Sequence, residues 1–269
     1  MARTRVRTPS LLALTLTAAL ISGCGNDDTS SDGAANAGQP HEGKPAVVVT
    51  TTWEGAIAKA AGAEDIEVIV PQSVHHAPDY DPKPSDLATV AKADFVLYAP
   101  FEPYAAKIKE AAGSKAELVE VKLDHDPDEL KAEVTRLAGL FGTEDGATRW
   151  KEEFDTEYTK LHKDLRAAWP GGRSPSVVSQ VFTTWAAELA GATVTGTYGP
   201  EPVTPAQLAD LSAKKPVLVL ENAHMSTGTV LPDSGARQLE IVNYPADDLD
   251  LLAVHRDAAA ELKKTMVGS

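Results

Sequence analysis

The chain has 269 residues, 39 Asp and Glu against 25 Lys and Arg, and a formal net charge of −14. An acidic surplus of that size argues against nucleic-acid binding, which needs clustered cations to neutralise phosphates, and is compatible with long-range steering of cations. A single cysteine leaves no disulfide to stabilise the fold.

Arg3, Arg5 and Arg7 precede an uncharged run, Thr8 to Gly23, that carries Leu11, Leu12, Leu14, Leu16, Leu20 and Ile21. A membrane-spanning helix needs roughly 20 apolar residues. This run is shorter and ends in the small pair Ser22-Gly23, so residues 1–23 read as a signal peptide. Ile21-Ser22-Gly23-Cys24 resembles a bacterial lipobox, which implies a thioether-linked lipid on Cys24, cleavage just before it, and attachment to the extracytoplasmic face of the cell membrane. Residues 24–44 are mostly Asn, Asp, Ser, Gly and Ala. With so little apolar surface to offset the entropy of ordering, they are expected to form a polar tether, His41 included.

From residue 45 onward short apolar runs alternate with helical patterns. Ala46 to Thr51, Ile66 to Val70, Phe95 to Tyr98 and Leu118 to Val121 read as buried strands, and Trp53 to Ala61, Ser85 to Ala93 and Pro103 to Ala112 as the helices between them. That alternation predicts an α/β lobe over residues 45–126, a mostly parallel sheet flanked by helices on both faces.

Two helices are expected over residues 127–170. Asp126-Pro127-Asp128-Glu129 combines an N-cap, a proline at the first helical position and an acid at the third. It opens a helix that should run to Phe141 and stop at Gly142. The second helix carries Trp150, Phe154, Tyr158, Leu161, Leu165 and Trp169 at spacings of three and four, hence on one face, and ends at Pro170-Gly171-Gly172. A long rigid helix of this kind between two lobes limits their relative motion. A second α/β lobe over residues 171–269 follows from Ser176 to Phe182, a weaker strand near Ala192 to Thr195, Val217 to Leu220 and Leu239 to Val242, with Thr204-Pro205-Ala206-Gln207 as a capping box.

Val70-Pro71, the histidines after it, and Asp79-Tyr80-Asp81-Pro82-Lys83-Pro84-Ser85-Asp86-Leu87 resemble the signature of the zinc and manganese substrate-binding lipoproteins of ABC transporters. The helix and strand from Ala88 to Tyr98 and the order of lipobox, tether, lobe, rigid helix and lobe fit the same family. The resemblance implies a monomeric, non-enzymatic binding protein that holds zinc or manganese between its lobes and delivers it to an ABC permease. The family's four metal ligands fall here on Pro78, on Lys122, near Thr195 or Gly196, and near Asn243 or Tyr244, none of them a good ligand.

A site rebuilt from nearby residues would draw on His75, His76, His125, Glu221 and His224, because imidazole and carboxylate suit zinc and related metals. His75 and His76 follow the second strand, and Glu221 and His224 the strand Val217 to Leu220, where ligands collect in open α/β sheets. The alternatives are a binding protein of the same fold for an organic or chelated ligand, and a surface adhesion or scaffold lipoprotein with a degenerate cleft. His162 and His255 read as solvated or helix-packing residues, and Trp53 as a core aromatic or a shield for the cleft. No Gly-rich phosphate loop, nucleophile elbow or His-Glu-x-x-His helix is present.

Overall fold

A computed structural model describes residues 44–267 apart from His75 and Thr227. The expected signal peptide over residues 1–23, lipid on Cys24 and tether over residues 24–44 fall on residues outside the described ones, Lys44 excepted.

The first lobe contains β1 (Ala46–Val49), α1 (Thr52–Ala60), β2 (Asp65–Val68), α2 (Pro84–Val90), β3 (Phe95–Tyr98), α3 (Ala105–Ala112) and β4 (Glu117–Glu120). Two helices follow, α4 (Pro127–Phe141) and α5 (Glu144–Ala168). The second lobe has β5 (Ser176–Gln180), α6 (Thr184–Leu189), β6 (Thr193–Tyr198), α7 (Pro205–Ala213), β7 (Leu218–Asn222) and β8 (Arg237–Ile241), and α8 (Leu251–Val267) closes the chain. The sheets share one topology, β2-β1-β3-β4 and β6-β5-β7-β8, and every strand pair in them is parallel.

Strand composition tracks position in the sheet. The central strands β1, β3, β5 and β7 are nearly continuous buried runs, as expected where both faces are covered. The edge strands β2 (DIEV), β4 (ELVE), β6 and β8 carry the polar residues and the exposed positions. Each sheet is packed on both sides. Val47, Val49, Phe95 and Leu97 face α1 and α4, while Val48 and Val96 face the layer containing Val90 and Ile108. In the second lobe Val177, Leu218 and Leu220 face α5, α6 and α8, and Val178 and Val219 face Leu211 of α7.

Helix ends follow local chemistry. The Thr51 side chain caps α1 and Glu54 returns the bond to the Thr51 backbone, and Thr204 and Gln207 do the same for α7. Asp126 caps α4 by accepting from the Asp128 and Glu129 amides. There the expected return arm is absent, because the Glu129 carboxylate pairs with Lys122. Gly142 ends α4 in the left-handed region, at φ +70°.

The apolar stripe of α5 serves both lobes. Trp150 and Phe154 pack in the first core, Leu161, Leu165 and Trp169 in the second, and Tyr158 touches both. Helix α8 repeats this with Leu251 and Leu252 in the first core and Val254, Ala258 and Leu262 in the second. Two helices therefore pin the lobes together. No helix among the described residues is long and apolar enough to cross a membrane.

Candidate functional site

The loops leaving the carboxyl ends of the parallel strands face each other between the lobes. They enclose a cavity of about 410 Å³ lined by Trp53, Pro78, Phe101, Leu123, Phe182, Met225 and Tyr244, with His76, His224, Asn222 and Asn243 as its principal polar groups. Among the described residues no Lys, Arg, Asp or Glu lies on its wall. A larger depression of about 880 Å³ lies elsewhere, against Gly62 and the α4–α5 turn. Its rim mixes Lys59, Arg149, Glu64, Glu144 and Asp145.

The five candidate ligands occupy different environments. His75 lies outside the described residues. His76 is on the cavity wall, half-exposed, with Nδ1 3.1 Å from an Asp79 carboxylate oxygen. His224 reaches the same wall from the other lobe, its ring edge-on to Tyr244 at 4.7 Å and its backbone amide donating to the Asn222 side chain.

His125 is buried behind the wall. Its ring stacks on Trp53 at 4.5 Å and meets Trp185 at 4.7 Å, and Nε2 donates to the Asn243 carbonyl at 2.8 Å. Burial holds its pKa down to about 3. Glu221 is buried in the second lobe, where the Tyr198 hydroxyl donates to its carboxylate, and burial pushes its pKa up. The structure thus brings His76 and His224 to one cavity and sets His125 and Glu221 apart from it. Among the described residues no group of three or more His, Cys, Asp or Glu side chains is arranged to hold a metal ion.

The four positions where the sequence resemblance would place metal ligands are occupied otherwise. Pro78 is cavity wall, and Lys122 forms a surface ion pair with Glu129. A side chain at Gly196 would project into Leu211 and Lys214. The Asn243 side chain accepts from Trp185 Nε1 and donates to the Phe182 carbonyl. His255, read from sequence as solvated or helix-packing, is fully buried among Phe154, Tyr158, Trp185 and His125. His162 ties α5 to the second lobe through the Leu189 carbonyl.

One feature escaped the sequence reading. Glu54 and Glu102 are both buried, at 0% and 5% exposure, and burial together with their mutual repulsion raises the pKa of Glu54. Burial also raises Glu102. Glu54 accepts from the Thr51 backbone and hydroxyl, and Glu102 from the Ala99 amide and the Tyr104 hydroxyl. The signal for Glu54 was present as Thr51-x-x-Glu54, a capping box. Nothing local announces that Glu102 lies beside it.

No family model and no curated protein matches the sequence. Among solved structures, the laminin-binding protein Lmb of Streptococcus agalactiae, described as bifunctional with adhesin and metal transporting activity, is 16% identical, with a TM-score of 0.63 over 82% of this chain and 99% of that one. The SBP FpvC from Pseudomonas aeruginosa, in complex with Mn2+, is 14% identical, with a TM-score of 0.61 over 84% and 98%. A ZnuA deletion mutant with zinc bound is 18% identical, with a TM-score of 0.58 over 80% and 96%. The chain has the fold of these proteins: two parallel-sheet lobes joined by a long helix.

Proposed function

We propose that this chain is the extracytoplasmic solute-binding component of an ABC importer, held to the membrane by a lipid on Cys24, and that its cargo is an organic molecule or a metal chelate bound between the lobes. The composition of the cavity carries this reading. Ligand sites for organic molecules are concave and mostly apolar with a few placed polar groups, in the range of roughly 300–1,000 Å³, and a cavity of about 410 Å³ walled by aromatic side chains fits that description. A bare divalent transition metal instead needs about four nitrogen, sulfur or oxygen ligands at one point, and the described side chains do not supply such a cluster.

The second reading is zinc or manganese held as a bare ion by His76 and His224, one from each lobe on the same wall, with His75 next to His76 in sequence. Calorimetric titration of metal-free protein separates the two. The first reading expects no saturable binding of zinc or manganese alone tighter than about micromolar, and an organic molecule or chelate in native mass spectra of protein purified from its own membranes. Tight binding of zinc alone, lost in His76→Ala and His224→Ala, would establish the second. The anchor is tested separately: Cys24→Ser should move the protein from the membrane to the soluble fraction.

A further inference from the structure

Among the described residues, Trp53 Nε1 and His125 Nδ1 are buried side-chain polar atoms without a partner, and the Thr50 hydroxyl stands against the carboxylates of Glu54 and Glu102. Thr50 and Thr51 form the exit of β1, and Trp53 and Glu54 the first turn of α1 that follows it. Strand β3 pairs beside β1, so its own exit loop, Ala99 to Glu102, arrives at the same place. Each strand exit is followed by one cavity-lining aromatic and directly after it one buried acid, Trp53-Glu54 in the first turn of α1 and Phe101-Glu102 after β3.

The groups around this pair are the hydroxyls of Thr50, Thr51, Tyr104 and Tyr244, and among the described residues no Lys, Arg or His bonds to either carboxylate. Tyr244 is at once a cavity wall and a phenol that feels the negative charge of both Glu54 and Glu102. The amino end of α1 does not offset that charge for an incoming anion. Its Trp53 amide is taken by Thr51, and its positive end is already faced by Glu54.

We infer that the cargo of this cavity carries a net positive charge on an apolar or aromatic body, as an organic cation or a cationic chelate does. The inference rests on the reading of the cavity as the cargo site. Aromatic faces attract cations through their quadrupole, more strongly where water is excluded. Once ionised, the buried carboxylates behind the wall supply a field that a low-dielectric site screens poorly, and the overall charge of −14 raises the local concentration of cations. A cation entering the cavity stabilises the ionised form of the carboxylate pair, so binding releases protons near neutral pH.

The test uses phenyltrimethylammonium and its neutral isostere tert-butylbenzene, titrated calorimetrically at pH 7 in two buffers of different ionisation heat. The expected result is binding of the cation at least about tenfold tighter than the isostere, with buffer-dependent heat from proton release. Both the preference and the release should shrink in Glu54→Gln and in Glu102→Gln, and Phe182→Ala should weaken both probes. Equal affinity for the two probes, or a preference that survives both acid substitutions, overturns the charge inference and leaves the organic-cargo reading standing. Failure of both probes to bind in a Phe182-dependent manner overturns the inference together with that reading. Should Glu54→Gln not fold, Glu102→Gln and the buffer dependence of the wild-type heat decide the outcome.

Discussion

His125 lies face to face with Trp53, ring centroids 4.5 Å apart and planes 18° from parallel. Its opposite neighbour, Trp185, belongs to the second lobe. The imidazole is thus a wedge between one tryptophan from each half of the molecule. Its hydrogen bond to a carbonyl places the proton on Nε2 and leaves Nδ1 bare in an apolar setting.

A neutral wedge makes the fold acid-sensitive. The ordinary value for His125 is 6.5 and burial lowers it to about 3. In the unfolded chain the ring takes up a proton that the folded protein refuses. Its contribution to stability is therefore complete above about pH 6.5 and is lost as pH falls toward 3, by at most about 5 kcal/mol. The buried His255 shifts in the same direction. Urea midpoints measured from pH 7 to pH 4 should fall steeply for the wild type and less steeply for His125→Phe. Parallel slopes would count against the wedge as the cause.

Asn243 joins the two sides of this junction. Its carbonyl takes His125, its side-chain oxygen takes Trp185 Nε1 and its amide donates to the Phe182 carbonyl. Asn243→Ala keeps the first bond and strands the other two partners, so it should cost about 2–3 kcal/mol in chemical denaturation. A loss under half a kilocalorie would mean that water replaces the side chain.

Gly62 and Gly142 form an internal control for backbone strain. Both have positive φ, +100° and +70°, but a Cβ on Gly62 would stand 2.8 Å from Thr143 Cβ, whereas Gly142 has open space. Thr143 is held in place by its hydroxyl bond to the Ala61 carbonyl. Gly142→Ala should cost about 1 kcal/mol from conformation alone. Gly62→Ala should cost at least about twice that, because the α1 exit must move off the α4–α5 turn. Equal shifts in melting temperature would refute the close approach.

Phe101 and Phe182 are large apolar side chains left 63% and 48% exposed at the cavity. Because only about half of their surface or less is buried in the folded protein, truncating either to Ala should cost about 1 kcal/mol of stability. Binding of the native cargo should weaken at least about tenfold, as truncation of an aromatic anchor does at an interface. Thermal denaturation and cargo titration on the same samples check both halves. A large loss of stability with unchanged binding would move these residues from the site to the scaffold.

The central strands Val47 to Val49 and Phe95 to Tyr98 were legible because a strand buried on both faces must be apolar throughout. The observed strand Phe95–Tyr98 has the expected bounds, whereas edge strand β2 starts one residue earlier and ends two earlier than its apolar run, since an edge needs only alternate apolar positions. The end of α4 at Gly142 was legible because it depends on a few adjacent residues. So was the stripe of α5, though its handover from one core to the other at Tyr158 was not.

The sequence by itself determined what near neighbours in the chain control: two α/β lobes, the rigid helix between them, the capped helix starts, and the segment from Asp79 to Leu87. Tertiary structure alone decided which loops meet. The pairing of β1 with β3 places Glu54 beside Glu102 across 48 positions of chain, and the apposition of the lobes turns His125 into a buried wedge and brings His76 and His224 to one aromatic wall. Those contacts arise from sheet order and lobe packing, energies that are non-local and leave no periodicity in the sequence to read.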